Sequence, residues 1–382
     1  MSFFPKVLTE VFSMFNIVID NEYHLRKLVN NDIHFFITHT DNESHYRNNR
    51  ITYPIASIQK GRVGFAMKKV VLIIAFIVLS VISLFVGVKN ITPLDIFHLS
   101  EEQRDILLIS RFPRLVSLIL AGVSMSVCGL IMQQLSRNKF VSPTTAGTMD
   151  SARLGILVSL ILFSSAGMME KMLMASVFAL AGTFLFMNIL DKIKFKDAIF
   201  IPLVGLMFGN IISSITTFFA YKHDLIQSIS SWLQGDFSMV MSGRYEMIYI
   251  SIPLVILAYL FANKFTIAGM GEDFSVNLGL NYKLVVNIGL IIVALSTTSV
   301  LLTVGTIPFL GLVVPNIVSI YNGDNLKKNL FQTALLGAVF LLFCDILGRI
   351  IIYPYEIPIG LTVGVIGSGI FLYLLMRRKA YA

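Results

Sequence analysis

The chain has 382 residues, 55% apolar and only 14% charged, a balance that a single water-soluble core of this size could not hide. The formal charge of +8 does not mark a nucleic-acid binder, because the basic residues stand at the ends of apolar runs and form no single stripe. The two cysteines, Cys128 and Cys344, lie inside apolar runs without metal-ligand spacing and read as small buried hydrophobes.

Residues 1–66 are polar and mixed, carry His24, His34, His39 and His45, and show no sustained apolar period. The four histidines share no helical register, so no metal site is expected of them. At Met67-Lys68-Lys69 the text changes to an unbroken apolar run from Val70 to Val88, a common opening for a bacterial membrane protein. Two domains are therefore expected. One is a polar extension over 1–66, either disordered or upstream of the native start, and the other is a transmembrane domain over 67–382.

The apolar runs predict an all-α, polytopic protein of about ten crossings, at 70–88, 115–135, 143–165, 172–190, 198–220, 246–263, 284–304, 308–320, 330–352 and 358–376. The run at 308–320 is too short to span comfortably and opens at Pro308, so a partial or tilted element is expected there. With the N-terminus inside, the inner segments from Met67 onward hold fourteen Lys and Arg and the outer ones seven, which places both termini in the cytoplasm. Arg111 and Arg114 are left outside and need a purpose. Within the spans, Gly122, Ser126 and Gly129, then Gly205 and Gly209, then Gly360, Gly364 and Gly367 recur at spacings that let helix backbones approach.

No Gly-x-x-x-x-Gly-Lys-Ser/Thr phosphate loop occurs, and no His, Cys, Asp or Glu cluster has convincing ligand spacing. The chain is not itself an ATPase or an evident metalloenzyme, and no catalytic residue or metal ligand is assigned. Asp150 with Arg153, and Asp345 with Arg349, place acid and base on one helix face at membrane depth. Such pairs serve either as relays in a proton-coupled transporter or as local ion pairs. The connection Gly271-Glu272-Asp273-Phe274-Ser275-Val276-Asn277-Leu278-Gly279 reads as a short helix, with acids in its first turn, Phe274 and Leu278 on one face and Gly279 as its stop. It suits a peg docked in a groove of a cytoplasmic partner, or a plain solvent-exposed connector.

These pieces occur in a recognisable order. Arg111-Phe112-Pro113-Arg114 leads through leucine-rich sequence to Gly129 and Gln133, and Asn138 leads through Ser142-Pro143 to Gly147. Trp232-Leu233-Gln234-Gly235-Asp236-Phe237 follows, then the 271–279 peg and Phe309-Leu310-Gly311-Leu312-Val313-Val314-Pro315. Leu336-Gly337-Ala338 with Asp345 to Arg349, and Glu356-Ile357-Pro358-Ile359-Gly360 running to Leu375, complete the series. In this order the chain resembles the iron-siderophore and vitamin B12 class of ABC importer permeases over essentially all of Met67 to Arg378. Its wording at 142–150 and 231–237 is most like permeases for catecholate or mixed siderophores of the petrobactin and anguibactin type. Asn316, where many relatives carry histidine, and Gln234, where a small or aliphatic residue is common, depart from the pattern.

The resemblance implies the all-helical type II importer fold in a bacterial cell membrane, paired with a second permease, identical or homologous, above two ATPase subunits that carry ATP and Mg. This chain would bind no cofactor of its own. An extracytoplasmic solute-binding protein would deliver ferric siderophore. Gly271, Glu272, Asp273, Phe274, Asn277, Leu278 and Gly279 match the family's coupling helix, and Arg111, Arg114 and Arg349 match arginines that meet glutamates on the binding protein. Thr144, Thr145, Ser230 and Trp232 are candidates for the pathway or its mouth, or else ordinary packing and turn residues. The competing reading is a proton-coupled secondary transporter built on Asp150, Arg153 and Asp345.

Overall fold

A computed structural model describes residues 55–87, 100–163, 167–193, 200–231, 234–243 and 245–379, with side chains from Lys69 to Met376. The chain falls into two units, Met1–Gly61 and Arg62–Ala382. Most of the polar extension expected at 1–66, with its four histidines, lies outside the described residues, as do Trp232 and Leu233.

All regular structure among the described residues is helical. The helix α1 (Ile55–Phe85) is followed by α2 (Glu101–Ile106), which continues through a π turn at Leu107–Arg111 into α3 (Phe112–Leu135). Next come α4 (Thr148–Leu162), α5 (Met168–Lys192), α6 (Phe200–Lys222) and the short α7 (Ile226–Ser231). A 3-10 turn at Glu246–Ile250 opens α8 (Ser251–Ala268), and the peg is α9 (Glu272–Asn277). The chain closes with α10 (Tyr282–Val304), α11 (Leu310–Asn322), α12 (Leu326–Ile350) and α13 (Ile359–Lys379). Each of the ten expected crossings thus has its helix. Seven of the helical stretches are long and apolar enough to cross a membrane, whereas α1 from Lys69, α4 and α11 are shorter.

The short ones have local causes. In place of a crossing that starts at 143, residues 143–147 form turns around Pro143. The amide of Ser142 donates to Thr145 Oγ1 at 2.9 Å, and Gly147 takes φ 71° before the helix can begin at Thr148. The helix α11 starts after Phe309, itself left-handed at φ 59°, and stops at Gly323, φ 76°. Its 13 residues rise only ~20 Å against a hydrocarbon core of ~30 Å, as the short run at 308–320 led one to expect.

The bundle is organised around α3, which packs on α8, α10, α11 and α12, while α4 packs on α5 and α6. The crossings of α3 are tight because they are built from glycine. A Cβ at Gly122 would stand 2.7 Å from the Gly337 carbonyl oxygen on α12, and one at Gly129 would collide with the Gly311 carbonyl on α11. Pro315 has no N–H to return to the Gly311 carbonyl, four residues earlier in α11. Gln133 of α3 fills the gap by donating from Nε2 to the Gly311 and Leu312 carbonyls at 3.5 and 3.3 Å. Asn316, at the position where the resemblance leads one to expect histidine, is satisfied within the chain, because Nδ2 donates to the Lys139 and Leu312 carbonyls at 2.7 and 2.8 Å.

Gly364 shares the small-residue pattern but has only Pro308 Cγ within 4 Å of its Cβ position, at 3.8 Å. Gly129→Ala should therefore destabilise the fold by about 1–3 kcal/mol through overpacking, and Gly364→Ala should be nearly neutral. Thermal unfolding of the two variants in detergent checks this, and equal melting points would contradict the packing assigned to Gly129.

Candidate functional site

The conspicuous polar groups gather at the two ends of α3, whose 24 residues separate them by ~36 Å. At its N-terminal end the π turn matters first. The Phe112 amide donates to the Leu107 carbonyl, one residue further back than an α-helix allows, and the widened turn rotates Arg111 inward until it is 8% exposed. Arg111 Nη1 donates to the carbonyls of Leu84 and Phe85 at 2.7 and 3.2 Å. Arg349, at the end of α12 and 5% exposed, donates from Nη1 to the carbonyls of Ser83 and Val86 at 3.0 and 2.7 Å and from Nη2 to Ser83 Oγ at 2.7 Å. Two guanidinium groups therefore satisfy the orphan carbonyls at the C-terminus of α1, where the helix dipole favours cations.

Behind them lies Asp345. Its Oδ1 accepts from Arg114 Nη2 at 2.8 Å and from Nε at 3.2 Å, and its Oδ2 is paired with Arg349. Arg114 Nη1 also bonds Glu356 at 2.7 Å. Three arginines and two carboxylates thus tie α1, α3, α12 and the 351–358 loop together. The arginines that the resemblance assigns to the docking of a binding protein make these bonds within the chain. The sequence could not show this, because their acceptors are backbone carbonyls more than 25 residues away for Arg111 and more than 260 away for Arg349. Glu356 and Ser83 are the partners that sequence reasoning missed. Beside the cluster, the side chains of Ile351, Ile352, Tyr353 and Tyr355 stand exposed.

At the other end of α3 sits the peg. Its helix runs from Glu272 to Asn277, inside the expected 271–279. Gly271 at φ 117° and Gly279 at φ 76° bound it in conformations that suit glycine. Ser275 is its buried anchor, donating to the carbonyls of Gly271 at 2.6 Å and Ile267 at 3.0 Å. Glu272, Asp273 and Asn277 face solvent, and Phe274 and Leu278 are 48% and 59% exposed, so the peg presents apolar groups with acids at one edge. It is fastened to α3 as well. Gln134 Nε2 donates to the Thr266 carbonyl at 3.4 Å, and the side chain of Gln134 fills the space over Gly269. Nearby, Lys139 pairs with Asp324 at 2.7 Å and bonds Ser319 Oγ at 2.9 Å, binding the turn after α3 to the turn after α11.

Between the two ends, Asp150 and Arg153 form the local ion pair at 3.2 Å, and Arg153 reaches on to Thr306 Oγ1. Asp345 and Arg349 form the other expected pair. Thr144 and Thr145 are occupied in the turn before α4, where Ser142 Oγ meets Thr144 Oγ1 at 2.9 Å and Thr145 Oγ1 bonds the Phe140 carbonyl at 3.2 Å. Ser230 is exposed near the end of α7. The described residues hold no group of three or more His, Cys, Asp or Glu arranged for a metal.

The FecCD transport family matches residues 74–377. The chain is 71% identical over 316 residues to the petrobactin import system permease protein YclN of Bacillus subtilis, an alignment covering 83% of this chain and 100% of that one. It is 42% identical over 306 residues to the ferric-anguibactin transport system permease protein FatD of Vibrio anguillarum, covering 80% and 98%. Among solved structures, an inward-facing metal-chelate type ABC transporter superposes with a TM-score of 0.68 at 19% identity, covering 80% of this chain and 97% of that chain, a likeness of fold.

The geometry around Asp345 makes a direct prediction. Asp345→Asn leaves the buried Arg349 without its counter-charge and Arg114 with Glu356 alone, and should destabilise the protein by roughly 3–5 kcal/mol, the range for breaking a buried ion pair. Glu356→Gln, at the exposed edge of the same cluster, should have a far smaller effect. Unfolding in detergent followed by a thiol-reactive dye at the buried Cys128 and Cys344 reads both, and equal effects would show that Asp345 is not the centre of the cluster.

Proposed function

Because the chain belongs to the FecCD transport family, we propose that it is the permease subunit of an ABC importer that carries a ferric siderophore of the petrobactin or anguibactin type across a bacterial cell membrane. The 71% identity over the full length of a petrobactin permease carries this reading. The lack of any phosphate-binding loop in the sequence agrees with hydrolysis taking place on two separate ATPase subunits, where ATP and Mg are held. A second permease, identical or homologous, completes the pathway. The excess of Lys and Arg in the inner segments supports cytoplasmic termini, with the peg on the cytoplasmic side and the arginine cluster outside.

The peg is the coupling element. Its exposed Phe274 and Leu278 offer an apolar plug, Glu272 and Asp273 give it a charged edge, and Gly271, Asn277 and Gly279 shape its ends. Displacing it draws on α8 and α10 directly and on α3 through Gln134. Since α3 ends at Arg111 and Arg114, a movement at the peg reaches the outer cluster along one helix. An extracytoplasmic binding protein docks on that outer face. Arg111 and Arg349 act there by holding the end of α1 in place, and Arg114 by holding Glu356 and its loop. The carboxylates a proton relay would require, Asp150 and Asp345, are each engaged by an arginine, which supports their role as local ion pairs.

Two measurements test this. Uptake of ferric petrobactin in vesicles should survive an uncoupler at constant ATP and stop when the partner ATPase is inactivated; uptake that follows the proton gradient would overturn the importer reading. Glu272→Lys with Asp273→Lys should abolish uptake while leaving binding-protein docking intact. Undiminished uptake would remove the peg from the coupling path.

A further inference from the structure

The helix α3 stops on a turn that ordinarily calls for glycine. The Asn138 amide donates to the Gln133 carbonyl at 3.0 Å and the Arg137 amide to the Gln134 carbonyl at 3.2 Å, the pair of bonds that makes a Schellman stop. The left-handed position of that motif is held by Arg137, at φ 52°. A side chain there costs strain that glycine would avoid, and such strain persists where the side chain itself is needed.

The turn places the Arg137 guanidinium beside the peg. Its Nη1 stands 3.2 Å from the point that a Cβ on Gly271 would occupy, so the bare backbone before the peg leaves room for it. Arg137, Asp191 at the end of α5 and Glu272 on the peg all lie within electrostatic reach of Tyr282 at the start of α10. No carboxylate of the chain closes on it, however. Arg114, Arg153 and Arg349 each pair with an acid, whereas Arg137 is exposed and makes no side-chain hydrogen bond or ion pair among the described residues. Its donors are open to a partner.

We propose that Arg137 is a second contact for the partner ATPase, receiving a carboxylate of that subunit directly at the end of α3, an inference that rests on the coupling role read for the peg above. A guanidinium takes a carboxylate through two parallel hydrogen bonds, which fixes direction as well as position. Around it the exposed surface carries both signs of charge, with Glu272 and Asp273 beside the apolar Phe274 and Leu278. Lipid phosphates approaching Arg137 would also meet those acids and be repelled, while a folded partner sets an acid opposite Arg137 and bases opposite the peg. The ATPase then holds α3 at two points, through the peg with Gln134 and through Arg137.

The test separates contact from fold. Arg137→Cys and, on the peg, Leu278→Cys are each labelled with a benzophenone maleimide, which the buried Cys128 and Cys344 do not compete for, and assembled with the partner ATPase in lipid. Irradiation should join both positions to the ATPase subunit. An ATPase adduct at 278 with only lipid, or nothing, joined at 137 would overturn the proposal and leave the peg's role standing; no ATPase adduct at either position would overturn the coupling reading itself and this inference with it. A second measurement uses Arg137→Gly, which relieves the left-handed strain. The isolated variant should melt no lower than the unsubstituted permease, while its affinity for the ATPase falls about ten-fold and that of Arg137→Lys falls less. Unchanged affinity in Arg137→Gly would overturn the proposal, as would a lowered melting point, which would assign the arginine to the fold.

Discussion

A carboxylate held between two guanidinium groups fixes the half of this molecule around the N-terminal end of α3. Asp345 is almost wholly buried, and an isolated charge there would be prohibitively expensive. It persists because Arg114 and Arg349 neutralise it from either side. Arg349 in turn is oriented to reach the end of α1, where Arg111 joins it. The position of α1, the start of α3, the end of α12 and the loop that carries Glu356 all refer back to this one group. The π turn at Leu107–Arg111 belongs to the same arrangement, because an ordinary helical turn would aim Arg111 elsewhere.

The rest of α3 is fixed by different means. There the close approaches of Gly122 and Gly129 set how α3 meets α12 and α11, and amide side chains repair what Pro315 leaves open. The consequence is a long central helix held by ion pairs at one end and by backbone contact and amide bonds along the rest. The peg, small and exposed, is attached to this helix through Gln134. These contacts along its whole length suit α3 to the coupling role proposed for the peg.

Much of this was legible in the sequence, and the parts that were not share a physical cause. Hydropathy located all ten helices, because burial in lipid or protein imposes long apolar runs whatever the tertiary arrangement. The peg was legible to within a residue, since acids at 272 and 273 and glycines at 271 and 279 are local signals. The late start of α4 was hidden because the hydroxyl network of Ser142, Thr144 and Thr145 competes with the helix in a stretch that remains moderately apolar. The arginines were found and their acceptors within the chain were not. Whether Arg111 faces a partner or the end of α1 depends on a π turn and on carbonyls that carry no residue signature.

The central claim is that α3 joins the peg to the arginine cluster as one rigid body. It is tested most directly by spin labels at Phe112 and Leu278, both exposed and at opposite ends of that body. Their separation is measured by pulsed electron paramagnetic resonance in the assembled transporter, without nucleotide and with ATP trapped on the partner subunits. The distance distribution should keep its centre and width in both states while the same preparation turns over cargo. A shifted or split distribution on ATP binding would mean that the peg moves independently of α3, and would contradict the account.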